Sequence, residues 1–299
     1  MTEIASKGET SPPDLTMKPA PSASWEGSLQ LTFAKTETAT QLIHSRSQAP
    51  LKIQRPFYPE GPEVCHSVIL HTAGGMVAGD RLALNIHLNP HAHALITTAA
   101  ASKIYRSQGP LAHTQIDIDI AAGARLEWLP QATIAFNQAR YRQDLRINLG
   151  PGAHWLGWEI TRFGRSASGE KFIDGDWRSH TEVWQDDHPL WIDRQWLPGS
   201  EAMFQSQHGL ANCPVVGSFV CLGQPVDSEI VAAARNFANI SQPDARSQFG
   251  VTQLPLGLLC RYRGTSSLEA HQWFCAIWHL VRLAFWQRPV CVPRVWSRI

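Results

Sequence analysis

Leu29, Leu31 and Phe33 alternate with Gln30 and Thr32, the period of two expected of a half-buried strand. The same period returns in Leu82, Leu84, Ile86 and Leu88, in Ile116, Ile118 and Ile120, and in Leu145, Ile147 and Leu149. Polar Asn85, His87, Asp117, Asp119, Arg146 and Asn148 occupy the intervening positions. Val68-Ile69-Leu70 is a short apolar run with the composition of a buried strand. The joints after the alternating runs resemble one another: Pro90-His91-Ala92, Ala122-Gly123-Ala124 and Pro151-Gly152-Ala153, about thirty residues apart. Self-similarity at that period points to stacked β-coils rather than a plain sandwich.

The C-terminal third changes character. Asp227-Ser228-Glu229 caps a helical run whose Ile230, Val231, Ala234 and Phe237 share a face. Strands are predicted near residues 248–254 and 256–262. Ser266-Ser267-Leu268-Glu269 has the form of a capping box. It opens a helix to about Trp286, stopped by Pro289. Its packing stripe is read as Trp273, Ile277, Leu280, Val281 and Ala284. Residues 1–24 are rich in Ser, Thr, Pro and Lys and are expected to be disordered. With no linker visible inside 25–299, that span reads as one mainly β domain of stacked strands with a few C-terminal helices.

Twenty-six basic and 25 acidic residues nearly cancel, and no basic stripe stands out, so a nucleic-acid partner is not expected. The six cysteines form no Cys-x-x-Cys pair, and the N-terminus lacks an apolar signal segment. Disulfides are therefore not expected, and the cytoplasm is the default compartment. The most apolar run, Trp273 to Trp286, carries His279 and Arg282 and is shorter than a bilayer requires. Twelve tryptophans suit packing for the most part, with partner anchors as the sharper reading.

Two short motifs are the most specific part of the chain. In Gln54-Arg55-Pro56-Phe57-Tyr58-Pro59-Glu60-Gly61-Pro62, three prolines in seven positions fix φ and remove donors. The run holds Phe57 and Tyr58 as a rigid aromatic pair suited to docking. After Cys65-His66 comes His71-Thr72-Ala73-Gly74-Gly75-Met76-Val77-Ala78-Gly79-Asp80, a turn whose glycines allow positive φ and close packing. It lacks the Lys and hydroxyl of a phosphate loop, and its glycine spacing is not that of a dinucleotide fingerprint.

Catalytic spacing is missing. Gly164-Arg165-Ser166 is not a nucleophile elbow, and no His-Glu-x-x-His or zinc-ribbon spacing occurs among the thirteen histidines. His91 and His93 would share a face if their segment were extended, where two imidazoles can hold a borderline metal ion. Cys65 and His66 would point to opposite faces of a strand. Carboxylates such as Asp80, Glu127, Asp144, Glu159 and Glu170 are scattered. On residues alone, two classes stay open. One is a metal-dependent hydrolase using His91, His93 and a carboxylate. The other is a Trp-rich solenoid binding carbohydrate, against which the missing secretion signal counts.

The proline run, Cys65-His66 and the turn ending in Gly79-Asp80 together resemble the urease accessory protein UreD (UreH) family. Ala101-Ser102-Lys103-Ile104-Tyr105-Arg106, Leu126-Glu127-Trp128-Leu129-Pro130-Gln131, Gly169-Glu170-Lys171-Phe172 and Val292-Pro293-Arg294-Val295-Trp296 fit as well. Thr72-Ala73 and Ala78 depart from that family's two prolines and second glycine, which relaxes the turn but leaves Asp80. The resemblance implies a β-helix-like stack and a non-enzymatic scaffold. Its implied partners are UreF, the GTPase UreG and the urease apoprotein, with dimerisation of the heteromer through UreF. Nickel is implied as a transient cargo, with no tightly bound cofactor, delivered to an active site whose bridging lysine is carbamylated. Asp80 and Glu170 are the expected stepping stones of an ion passage, with Cys65 and His66 as lesser ligands. Phe57, Tyr58, Arg294 and Trp296 are the expected partner contacts.

Overall fold

The computed structural model describes residues 24–240 and 244–296; apart from Ser24, the tail expected to be disordered lies outside the described residues. The chain opens with an antiparallel pair, β1 (Glu26–Lys35) and β2 (Thr40–Gln48), and a short β3 (Leu51–Ile53). It then winds in coils, passing at each turn between two sheets. The first coils are β4 (Val64–His71), β5 (Arg81–Leu88), β6 (His93–Thr98), β7 (Ser102–Ile104), β8 (Ala112–Ile120) and β9 (Arg125–Leu129). They continue through β10 (Thr133–Ala135), β11 (Arg140–Leu149), β12 (His154–Phe163) and β13 (Asp176–Gln185). A last hairpin strand, β14 (His188–Pro198), and a short helix, α1 (Glu201–Gln205), follow. The chain ends with β15 (Val215–Leu222), α2 (Ser228–Ile240), β16 (Gln248–Leu254), β17 (Gly257–Gly264) and α3 (Ser267–Trp286).

The outer sheet has seven strands in the order β14-β13-β11-β8-β5-β1-β2, and the middle sheet is ordered β16-β17-β15-β12-β9-β6-β4-β3 with β7 and β10 attached. Within each sheet the coil strands run parallel, as β5, β8 and β11 do in one and β4, β6, β9 and β12 in the other. About half of the described residues are in strands, so the expected mainly β, solenoid-like fold is the observed one.

The alternation explains the layers. Ile116, Ile118, Leu145, Ile147 and their equivalents turn toward the middle sheet and form one core with Ala94, Leu126 and Trp155. Because middle-sheet strands are covered on both faces, Leu95, Leu129, Leu156 and Phe219 turn the other way and form a second core against the helices. Eight of the twelve tryptophans are buried in these cores, whereas Trp25 and Trp196 are exposed.

The three similar joints are superposed corners. His91, Gly123 and Gly152 all sit in the left-handed region, at φ 61, 66 and 64°. The following Ala92, Ala124 and Ala153 are fully packed. A Cβ on Gly123 would meet the His91 ring at 2.5 Å, so the corners stack through a glycine where adjacent coils are closest.

The helices follow their caps. Ser266 accepts a bond from the Glu269 amide, as a capping box requires, but the Glu269 carboxylate turns to Ser247 and Tyr262 instead of back to Ser266. Gln287 ends α3 in the left-handed conformation. The buried stripe is Ala270, Trp273, Phe274, Ile277, Trp278, Val281, Arg282 and Trp286. Ala284, expected on the stripe, is exposed. An apolar composition all round leaves the facing side undetermined until α2 and the sheet choose it. No described helix is long and apolar enough to cross a membrane.

Candidate functional site

A cavity of about 600 Å³ lies between the two sheets, lined from Leu51 and His71 at one end to Asp193 and Ser218 at the other. Since β3 and β4 stand at one end of the strand order and β14 and β15 near the other, the cavity runs along the coil axis as a lumen. Its walls are mostly apolar, including Met76, Leu84, Ile116, Trp128 and Trp155, with polar groups at intervals: Thr114, Gln143, Thr181 and Glu159.

Glu159 is a half-buried carboxylate in the wall of this lumen. On β12, Trp155, Gly157 and Glu159 share the lumen face while Leu156, Trp158 and Ile160 face the helices. Its surface is turned into the lumen rather than the bulk, and Ser179 Oγ donates to it at 2.8 Å. Burial pushes its pKa up to about 7, with Asp193 adding to the rise and Ser179 and Arg261 opposing it. Such a carboxyl exchanges its proton near neutrality, the property that suits a transient cation ligand.

A second set of charges is buried between the middle sheet and α3. Glu127 is fully buried; His93 Nε2 lies 2.8 Å from one oxygen, and Trp278 Nε1 donates to the other at 2.5 Å. Arg282, also fully buried, is 3.7 Å from Glu127 and bonds Glu60, which takes His66 Nε2 at 2.7 Å. Burial raises the Glu60 carboxyl, but the His66 and Arg282 bonds outweigh it and bring it down to about 2. Glu127 is likewise held below the usual carboxylate range against its burial, chiefly by His93 and Arg282. Glu60 belongs to the proline run and His66 to the Cys65-His66 pair that follows it, so part of what makes this stretch specific is the anchoring of α3.

The expected site residues fall in several places. Asp80 is buried and accepts the Trp25 and Val77 amides at 2.8 Å each, which closes its turn onto the start of β1. Glu170 is at the surface, bonded by Arg165 at 2.9 and 3.0 Å, which lowers its pKa. Neither is among the residues lining the lumen. Cys65 faces the other sheet, its thiol pushed up by burial, while His66 faces Arg282 through Glu60, the opposite-face arrangement that alternation requires. His91 and His93 do not share a face. His91 occupies a left-handed corner and is exposed, whereas His93 starts β6 and is buried against Glu127; the expectation assumed extended chain at both. Among the described residues no group of three or more His, Cys, Asp or Glu could hold a metal ion.

The two expected partner motifs meet: the Arg294 guanidinium lies 4.8 Å over the Phe57 ring, beside exposed Tyr58 and Val292. Trp296 instead turns inward, bonded to Thr97 at 3.0 Å and packed on Trp158 and Trp278. Glu60, Glu127, Arg282, Asp193 and Arg261 are not among the site residues expected from the sequence. One signal was present: an Arg inside an apolar helix must find a carboxylate if its side is buried.

The fold is a two-sheet β-solenoid that encloses a lumen and carries a helical layer on its middle sheet. The sequence matches the family model described as UreD urease accessory protein over residues 26–297, and the chain belongs to that family. Proteins named urease accessory protein UreD are similar along most of their length. The one from Trichormus variabilis is 62% identical over 277 residues, covering 93% of this chain and 98% of the relative. That from Acaryochloris marina is 56% identical over 274 residues, 92% and 96% of the two chains. That from Synechocystis is 42% identical over 255 residues, 85% and 94%.

Proposed function

We propose that this chain is a cytoplasmic scaffold of urease maturation that binds the urease apoprotein together with UreF and UreG. In that reading it helps insert nickel in a GTP-dependent step, the hydrolysis belonging to UreG. The lumen is the transient passage of the ion, and the chain itself catalyses no reaction. Family membership supports the link to urease. The observation that carries the passage is Glu159, a carboxylate poised near neutrality inside a lumen about 600 Å³ in volume.

The chemistry favours transit over storage. A closed structural metal site binds by roughly 10–16 kcal/mol and would trap the ion. A passage needs stations of about 8 kcal/mol or less, micromolar or weaker. Single carboxylates and hydroxyls, completed by water, meet that condition, and Glu159 and Asp193 are better placed for it than Asp80 and Glu170. The Phe57, Tyr58 and Arg294 cluster is the corresponding partner surface, with UreF as its occupant.

The test is co-expression of this chain with its host's urease subunits, UreF and UreG, followed by pull-down and nickel assay of the urease. Co-purification is expected, together with nickel-poor urease when this chain is omitted. Absence of any association with urease or UreF would overturn the scaffold reading.

A further inference from the structure

The two ends of the lumen are built differently. The outer sheet stops at β14, while the middle sheet continues past β15 into β17 and β16. On β17, Leu258, Cys260 and Tyr262 pack toward the helices, so Arg261 faces the lumen side. Its guanidinium crosses from the middle sheet to the outer one and grips Asp193 on β14, with both nitrogen–oxygen distances 2.8 Å. Nη1 also donates to Ser218 at 2.5 Å, and Gln195 ties Asp193 at 2.7 Å to the same serine at 3.3 Å.

Asp193 and Ser218 line the lumen, and Glu159 lies one strand further in, on β12. Arg261 is not part of the lining, and its side chain is 38% exposed against 17% for Asp193. A positive charge therefore stands on the solvent side of the terminal carboxylate, bridging the two sheets.

We propose that the Arg261–Asp193 ion pair is a gate that closes the β14 end of the lumen against cations and opens when the guanidinium leaves Asp193. Its purpose rests on the lumen being the ion's route; its geometry does not. Closed, the guanidinium occupies both oxygens of Asp193 and repels an approaching divalent cation. Open, Asp193 and Glu159 offer two carboxylates, with the Ser218 and Ser179 hydroxyls beside them. A partly exposed pair is weak enough to exchange partners repeatedly, as a gate must and a structural clamp need not.

The test places a reporter behind the gate, in the full chain within its co-purified complex. Val220, on β15, lines the lumen and takes part in none of the pair's bonds, so Val220→Cys sets a thiol there. Its modification by a small cationic methanethiosulfonate is followed by peptide mass, so native cysteines are counted separately. Arg261→Ala is expected to speed labelling about fivefold, the equivalent of about 1 kcal/mol of closure. Asp193→Asn, which keeps the side-chain shape, should do the same should the alanine variant fail to fold. Unchanged labelling in the folded variants overturns the gate. Faster labelling supports it, and urease nickel loading by the same variants then bears on the route alone. Loading that stays the same while labelling rises counts against the passage, and not against the gate.

Discussion

Among the described residues Glu127 is fully buried and Glu60 and Glu159 are half-buried, and of these three only Glu159 is pushed toward neutrality. Glu60 and Glu127 each meet a guanidinium and an imidazole, and both are held down as carboxylates. Glu159 receives one serine hydroxyl, and burial wins. The sign of its linkage follows. Its folded pKa lies above the ordinary 4.5, at about 7, so the folded state keeps a proton that the unfolded chain releases. Stability from this group is present below pH 4.5 and is lost as pH rises through about 7, up to about 3 kcal/mol in all. Glu159→Gln should therefore lose several degrees less of melting temperature between pH 5 and 8 than the natural chain does. Equal slopes would show that the group is not buried as described. Glu60 runs the opposite way: its contribution is complete above pH 4.5 and is lost only as pH falls through about 2.

At the scale of elements, α3 shows how far a sequence carries and where it stops. Its cap at Ser266 and its end near Trp286 are local events, written in adjacent residues and legible from them. The period-two strands and the three corners are legible for the same reason. The partner of Arg282 is not: Glu127 stands 155 positions earlier, and their meeting depends on how many coils precede β9. Glu159 looks like any carboxylate in a strand until the two-sided burial of the middle sheet is known. His91 was misplaced because a left-handed corner leaves no mark when a histidine, rather than a glycine, fills it. The network has a measurable weight. Arg282→Met takes the guanidinium away from fully buried Glu127 and half-buried Glu60 and is expected to cost about 3–5 kcal/mol in urea unfolding, whereas a loss under about 1 kcal/mol would mean that the clamp contributes little.

For the whole molecule, the lumen separates scaffold from conduit. Thr114 projects into it from β8, about midway along the stack, where its hydroxyl reaches the Met76 sulfur at 3.5 Å. Thr114→Phe should narrow the bore while leaving the outer surfaces intact. Urease is then expected to co-purify normally yet carry less nickel. Normal nickel in a folded, associated variant would leave the scaffold standing and remove the conduit.

The strands that end the outer sheet have a consequence for the company the protein keeps. Parallel coils present open backbone edges at both ends, the geometry by which fibrils grow. Here the outer sheet finishes in strands that run backwards, β2 and β14. β2 carries exposed His44 and Arg46, and β14 carries Arg194 between Pro189 and Pro198. Charges and prolines at such edges discourage another copy from continuing the ladder. The molecule is thereby a solenoid of fixed length that does not template its own ladder.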